Sequence, residues 1–397
     1  MGLNDTPSGE RLHIGFFGCR NAGKSSVVNA VTGQNLAIVS ETKGTTTDPV
    51  YKAMELLPLG PVMIIDTPGF DDTGKLGELR VKKTRHVLNK TDIAVVIVDS
   101  TVGLRPVDEE IIALIEAKKI PYLLVWNKTD LQAPHLGGER ELAVSAATGA
   151  GIWELKERLG ATVPNSERVP IVADLVKPHD LVLLVVPIDS AAPKGRLILP
   201  QQQTIREVLD SDAVVVVVKE NEVAATLTRL GTAPALVITD SQAFQTVAAQ
   251  TPDSILLTSF SILMARHKGL LASAVRGVAA VETLHNHSKV LIAEGCTHHR
   301  QCDDIGTVKI PRWLQRHTGA AITFETASGT EFPDDLSPYE LIIHCGSCML
   351  NEREVQYRMK CAADQGVAMT NYGIFIAYVT GILKRSVRVF PDVYKTL

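Results

Sequence analysis

The sequence predicts an α/β protein of parallel sheets: a larger N-terminal domain over residues 1–165, then two smaller parallel-sheet α/β domains over 170–270 and 271–397. Three observations carry this expectation. Short apolar runs of strand length recur along the chain and alternate with helix-like segments, the pattern of strand and crossover. The first such run delivers a glycine-rich turn that opens a helix. In the last third, two groups of Cys and His each follow an apolar run, at the strand end where a parallel sheet presents its binding edge.

The composition fits this class. With 397 residues, 45% apolar and 21% charged, the chain is long enough for two or three domains, each with its own core. A net charge of -4 and the lack of a Lys/Arg run argue against a surface that tracks nucleic acid. The longest apolar runs, such as Leu181 to Ile188, fall far short of the ~18 residues of a membrane span. No signal-peptide pattern opens the chain, so a reducing cytoplasm and no membrane association are expected. A disulfide framework is not expected from six Cys in a chain of this size.

In the first domain, His13 to Phe17 reads as a strand leading into Gly18-Cys19-Arg20-Asn21-Ala22-Gly23-Lys24-Ser25, with Ser26 continuing into a helix. This is a full P-loop, in which backbone N–H groups cradle phosphates, Lys24 reaches the β and γ oxygens and the Ser25 hydroxyl ligates Mg2+. Cys19 is a small filler within it. Met63-Ile64-Ile65 reads as a strand ending in Asp66-Thr67-Pro68-Gly69, where Asp66 can hold the metal through water and the Gly69 N–H can sense the γ-phosphate. Tyr122 to Trp126 ends in Asn127-Lys128-Thr129-Asp130, and Asp130 can accept both N1–H and N2–H of guanine, a pair adenine does not offer. Ser145-Ala146 is placed for a backbone contact to the guanine carbonyl. The expected nucleotide is GTP.

Over roughly the first 150 residues these motifs resemble the TrmE/Era-like branch of the translation-factor class of GTPases. The resemblance implies that Gly44-Thr45-Thr46-Thr47-Asp48 is switch I, with Thr46 as the second Mg2+ hydroxyl. It also implies that Asn21 marks a potassium-activated member, in which K+ takes the part of an arginine finger. Phe70 stands where Ras-like enzymes place a water-orienting Gln, and an apolar side chain cannot orient water, so slow hydrolysis is expected.

After a linker around Pro164 to Pro170, four apolar runs read as parallel strands: Leu181 to Val186, Ala213 to Val218, Ala235 to Ile238 and Ser254 to Leu257. The helix-like segments between them are Gln201 to Leu209, Glu222 to Leu230 and Ser241 to Ala249. No second nucleotide motif lies in this middle domain, and a good core without chemistry suits a dimer interface.

The third domain opens with an amphipathic helix at Leu271 to Leu284. Lys289 to Ala293 then leads to Cys296-Thr297-His298, and Tyr339 to Ile343 leads to His344-Cys345-Gly346-Ser347-Cys348, with a helix from Ile305 to His317 between them. Thiolates and imidazoles at this spacing mean a metal, and from spacing alone structural zinc and an iron–sulfur cluster stand level. Cys361 falls within a helix from Asn351 to Ala363 and reads as core.

The whole chain resembles the FeFe-hydrogenase maturation GTPases, the HydF family: a TrmE/Era-like domain, a middle α/β domain and a Cys-x-His plus His-Cys-x-x-Cys site. The resemblance implies that Cys296, Cys345 and Cys348 ligate a 4Fe-4S cluster. It implies a scaffold that carries and delivers the binuclear iron subcluster of the hydrogenase, with radical-SAM maturases and the apo-hydrogenase as partners, and a homodimer. Three thiolates leave one iron for another ligand, and His298, His344, Asp303 and Cys302 are the candidates. Arg300 and Lys309 are candidates for positive charge near an anionic cargo. The alternative is an RNA-associated TrmE/Era-like GTPase with a structural zinc module.

Overall fold

A computed structural model describes residues 6–33, 49–69, 84–163, 169–188, 197–295, 304–329 and 331–397. The chain divides into two compact units, Met1–Ser166 and Glu167–Leu397.

In the first unit, six strands are ordered β2-β3-β1-β4-β5-β6: β1 (Leu12–Phe17), β2 (Val50–Leu56), β3 (Gly60–Asp66), β4 (Ile93–Asp99), β5 (Tyr122–Asn127) and β6 (Glu141–Ala143). All neighbours are parallel except β2, which runs antiparallel to β3 along the edge. β4 (Ile-Ala-Val-Val-Ile-Val) is buried on both faces, so its unbroken apolar run has no polar side to show. Its two faces feed two cores, one with Val27, Val31 and Leu155 and the other with Val87, Ile111 and Ile115. β2 escaped the sequence reading because Val50, Tyr51 and Lys52 are exposed, which leaves it no apolar stripe.

The second unit holds two four-stranded parallel sheets. One is ordered β10-β9-β7-β8, from β7 (Leu181–Val185), β8 (Val214–Val218), β9 (Leu236–Thr239) and β10 (Leu256–Ser259). The other is ordered β12-β11-β13-β14, from β11 (Lys289–Glu294), β12 (Thr323–Ser328), β13 (Leu341–His344) and β14 (Ala368–Asn371). One hydrophobic core runs through both sheets, from Leu183 and Phe244 to Ile292, Ile343 and Phe375. β7 and β9 are internal and β10, at one edge, is also largely buried, whereas β8, at the other edge, has Val214 and Val217 exposed, so the middle sheet is not covered throughout. Arg385 donates to the carbonyls of Ala248, Thr251 and Pro252, and Arg388 to that of Asp253. These bonds tie the C-terminal segment to the end of the helix Phe244–Gln250 in the middle sheet's layer.

Two helices differ from expectation. The segment opening the third domain is α-helical only over Leu271–Gly277 and continues as a 3-10 turn over Val278–Thr283. The segment after the first Cys group begins as a π turn, Ile305–Lys309, and becomes α-helical over Ile310–Thr318, with Pro311 in its first turn, where no N–H is needed. β12 and β14 were not read from the sequence: β12 is largely polar and exposed, and β14 (Ala-Met-Thr-Asn) is short. Among the described residues no helix is long and apolar enough to cross a membrane.

Candidate functional site

The P-loop of the first unit is built by backbone conformation. Asn21 and Gly23 take left-handed φ of 61° and 88°, and Asn tolerates that region better than most side chains. Gly23 also has no room for a side chain, because a Cβ there would lie 2.2 Å from the Asn127 amide nitrogen. That amide belongs to the loop: Asn127 Nδ2 donates to the Ala22 carbonyl at 3.0 Å. Lys24 is buried and donates to the carbonyls of Gly18 and Cys19, both at 2.9 Å, which arches its ammonium back over the loop. Ser26 is the third residue of the helix Lys24–Thr32.

The two expected Mg2+ groups meet. Ser25 Oγ donates to Asp66 Oδ2 at 2.7 Å, although the residues are 41 apart in sequence. The other carboxylate oxygen, Asp66 Oδ1, is buried with no hydrogen-bond partner among the described residues, an arrangement a hydrated divalent cation would complete. Burial pushes the Asp66 carboxyl above the usual carboxylate range, while the Ser25 hydroxyl and the Lys24 ammonium pull against it. Thr67 N–H and Oγ1 both bond the Phe16 carbonyl, at 3.3 and 2.6 Å, which straps the segment to the end of β1. Gly69 lies against the P-loop, where a Cβ would sit 2.7 Å from Arg20 Cα.

The guanine-reading residues also gather. Asp130 accepts from Ser145 Oγ at 2.6 Å and is otherwise exposed, so its second oxygen can serve a base edge. Lys128 Nζ pairs with Asp99 Oδ2 at 2.5 Å, across the carboxyl ends of β4 and β5. Burial of Asp99 opposes ionisation, but the bonds from Lys128 and Thr101 win and hold its carboxyl below the usual range. The Ala146 N–H, expected to face a guanine carbonyl, donates here to Asn127 Oδ1 at 3.1 Å. Thr46 and Phe70 lie outside the described residues, and so do Cys296, His298, Asp303 and Cys302 of the cysteine site.

In the second unit, Cys345 follows β13 and is fixed by its backbone N–H to the Ala293 carbonyl of β11, at 2.8 Å. Its sulfur accepts the N–H of Gly295 at 3.0 Å and of Ser347 at 3.4 Å. Ser347 adopts a φ of 59°, which turns the Cys-Gly-Ser-Cys loop back on itself. Backbone N–H groups aimed at a sulfur favour a thiolate, so the loop suits a thiolate-bound metal or cluster. Burial first, and Cys345 second, push the Cys348 thiol up to about 11, while backbone N–H groups and the Lys268 ammonium pull against them. A coordinating metal takes the place of that proton. Among the described residues no group of three or more His, Cys, Asp or Glu forms a metal site, and the third expected thiolate, Cys296, follows Gly295 directly.

His344 is placed differently from the expected ligand role. It is fully buried, and both ring nitrogens are engaged: Nε2 accepts from Arg358 Nη1 at 3.0 Å, and Nδ1 faces Ser347 Oγ and the Cys345 carbonyl, each at 3.0 Å. Arginine only donates, so Nε2 carries the lone pair and Nδ1 the proton. That leaves no nitrogen free for iron, and His344 serves to hold the Cys loop. Arg358, itself fully buried, donates to Glu354 Oε1 at 3.0 Å and to the Gly329 carbonyl at 2.7 Å, and its guanidinium lies over the Phe332 ring.

The sequence reading missed this supporting network. Its only signal is the i, i+4 spacing of Glu354 and Arg358, which usually marks a solvent-facing pair. It also missed Tyr372, whose buried hydroxyl donates to Glu294 Oε1 at 3.1 Å and whose ionisation is opposed by burial, Cys345 and Glu294. Cys19 is a buried filler, and Cys361 packs beside the core from the helix Glu352–Asp364. Lys309 donates to Gln242 at 2.7 Å.

Comparison with known proteins matches three successive stretches of the chain. Residues 13–128 match the model of the 50S ribosome-binding GTPases, 171–269 the hydrogen maturase F dimerization domain and 272–389 the hydrogen maturase F tetramerization domain. The tRNA modification GTPase MnmE of Bordetella petrii is 36% identical over 152 residues, 38% of this chain and 33% of that protein. GTPase Der of Wolinella succinogenes is 31% identical over 186 residues, 42% of this chain and 39% of that protein. The matches thus span little more than a third of these relatives' own length. Era of Aquifex aeolicus, solved with GDP·AlF4-, aligns at 21% identity and a TM-score of 0.36, covering 52% of this chain and 93% of that one. With both hydrogen maturase F domains following a TrmE/Era-like GTPase domain, the chain belongs to the HydF family of hydrogenase maturation GTPases.

Proposed function

We propose that the protein is a GTP-hydrolysing scaffold that binds a 4Fe-4S cluster and carries the binuclear iron subcluster of FeFe-hydrogenase to the apo-enzyme. The observation that carries this reading is the Cys345 loop, whose sulfur is cradled by two backbone N–H groups and whose conformation is locked by His344 and Arg358. Cys296, Cys345 and Cys348 would hold the cluster. Its role is to offer an iron with an exchangeable ligand position, where an incoming group can attach. The binuclear precursor is cargo, received from radical-SAM maturases. Asp303 and His298 stay with the reading as candidates for the remaining position, and His344 does not.

In the nucleotide domain Lys24, Ser25 and Asp66 would hold the triphosphate and Mg2+, with Thr46 the second hydroxyl and Gly69 the γ-phosphate sensor. Asp130 reads the base, and Ser145 fixes Asp130. Hydrolysis is slow, because Phe70 cannot orient water, and Asn21 makes it potassium-stimulated. Turnover in K+ buffer should exceed that in Na+ buffer, and equal rates would remove the potassium element. The protein works in the cytoplasm as a homodimer. β8 supports that state: it is an all-valine edge strand with exposed Val214 and Val217 and no charge to block pairing. A monomer by light scattering at micromolar concentration would count against it.

The deciding experiment is anaerobic reconstitution with iron and sulfide, followed by metal analysis and EPR of the reduced protein beside Cys345→Ala. About four irons per chain, with a reduced-cluster signal lost in the variant, is the expected result. One zinc and no sulfide would replace this reading with a GTPase bearing a structural zinc module.

A further inference from the structure

The two sheets of the second unit follow one plan. Taken in chain order, the strands of each lie fourth, third, first, second, all parallel. The registers agree as well: Leu181 faces Val214 as Lys289 faces Thr323, Val182 faces Leu236 as Val290 faces Leu341, and Leu236 faces Leu256 as Leu341 faces Ala368. The last strand of each leads into an eight-residue helix, Phe260–His267 or Tyr372–Val379, capped by the side chain of Ser259 or Asn371. Gly269 and Gly381 follow these helices with left-handed φ of 73° and 75°. One copy therefore shows what the plan requires, and the other what the cysteine site adds to it. Counted along this plan, Glu294, Gly295 and Tyr372 of the cysteine copy stand where the middle copy has Val186, Pro187 and Phe260. Only the cysteine copy can make the contacts found there. Tyr372 Oη donates to the buried Glu294 Oε1 at 3.1 Å, and the next N–H, that of Gly295, donates to Cys345 Sγ at 3.0 Å. Proline at that place would have no N–H to give. Gly306 lies against the pair, since a Cβ there would be 2.3 Å from Tyr372 Oη and 2.5 Å from Glu294 Oε1.

We propose that Tyr372 is a positioning residue for the cluster: by holding Glu294 it fixes the end of β11, aims the Gly295 N–H at the Cys345 sulfur and so helps set the cluster's reduction potential. The inference rests on the iron–sulfur reading above. Reduction adds negative charge that the ligating sulfurs share, and an N–H donated to such a sulfur favours the reduced form. A backbone donor is useful only while its direction is fixed, and a bonded, buried carboxylate one residue away fixes it. The middle copy folds without these groups, so they are not a requirement of the plan.

Two measurements on the full chain test this: hydrogen exchange at the Gly295 amide of the metal-free, reduced protein, and EPR-monitored redox titration after reconstitution with iron and sulfide. Tyr372→Phe should speed exchange at Gly295 about tenfold. It should also make the cluster about tenfold harder to reduce at a given potential, a shift of about 59 mV to more negative values for one electron. Gly306→Ala, which wedges the pair apart, should act in the same direction. Glu294→Gln keeps an oxygen that accepts the hydroxyl and should stay near wild type. Thr370→Val removes a different buried bond of this sheet, to the Ala274 carbonyl, and should move neither reading. Wild-type exchange or a wild-type potential in Tyr372→Phe overturns the proposal, as does a Thr370→Val variant shifted as far in both. Wild-type protein that takes up no iron and sulfide overturns the cluster reading and with it the role in potential, and exchange at Gly295 reads the brace apart from that failure.

Discussion

The nucleotide edge of the first sheet and the cysteine edge of the last are the same construction, parallel strands whose carboxyl ends carry the chemistry, yet they are held in different ways. At the nucleotide edge the reactive side chains hold one another: Ser25 bonds Asp66, Lys128 pairs with Asp99, Ser145 bonds Asp130, and Asn127 bonds the P-loop. At the cysteine edge the Cys345 sulfur is held by the backbone N–H groups of Gly295 and Ser347, and the loop by the Ser347–His344–Arg358 chain behind it. The difference is the one expected if the first edge takes the nucleotide and the second the proposed cluster. A nucleotide is recognised by many polar groups that also satisfy one another, whereas a cluster needs a few thiolates whose geometry must come from elsewhere.

The sharpest way to break this comparison is at Lys24. If the nucleotide edge is one interlocked unit, Lys24→Ala removes both the phosphate cation and the brace across Gly18 and Cys19, and GTP turnover should fall by at least ~100-fold. A steady-state phosphate-release assay measures it, and a loss under tenfold would show that the edge is not interlocked.

A second test addresses the cysteine edge. Arg358→Ala leaves Glu354 buried and uncompensated and takes the donor from His344, so the second unit should lose about 3–5 kcal/mol. Denaturant unfolding followed by circular dichroism would show it. Lys at this position should not rescue, because one ammonium cannot reproduce the guanidinium's contacts to Glu354, His344 and Gly329. A fully stable, iron-loaded Arg358→Ala protein would mean that the loop holds itself.

The smallest effect sharpens the comparison from the stability side. Asp66 has a folded-state pKa above its ordinary value, so the folded protein takes up a proton more readily than the unfolded chain as pH falls through that raised value. Nucleotide-free protein should therefore gain stability on this group's account as pH falls through the raised value towards the ordinary carboxylate range, and Asp66→Asn should lose that pH dependence. Thermal unfolding in the presence of a chelator reads it. The same substitution should weaken Mg2+-dependent turnover, so a variant more stable yet less active is expected, and an unchanged pH profile would discount the burial of Asp66.

Both edges were legible in the sequence to different depths. Each strand-end motif of the nucleotide site could be read because its chemistry is local: a glycine turn, a carboxylate after an apolar run, an Asn-Lys-x-Asp. The same held for Cys345 and Cys348. The role of His344 could not be read, because a histidine beside a cysteine looks like a ligand until Arg358, fourteen residues on, is seen at its Nε2.

The sequence alone determined the α/β class, the N-terminal P-loop GTPase domain and the parallel-sheet domains after it. Apolar period, glycine placement and ligand-type residues are properties of short stretches, and short stretches fold to their own rules. Only the tertiary structure decided that the middle and C-terminal sheets share one core and that Arg358 turns inward to lock His344. Those relations join residues far apart in sequence through burial, and whether a charged side chain is buried depends on what packs over it rather than on its neighbours along the chain.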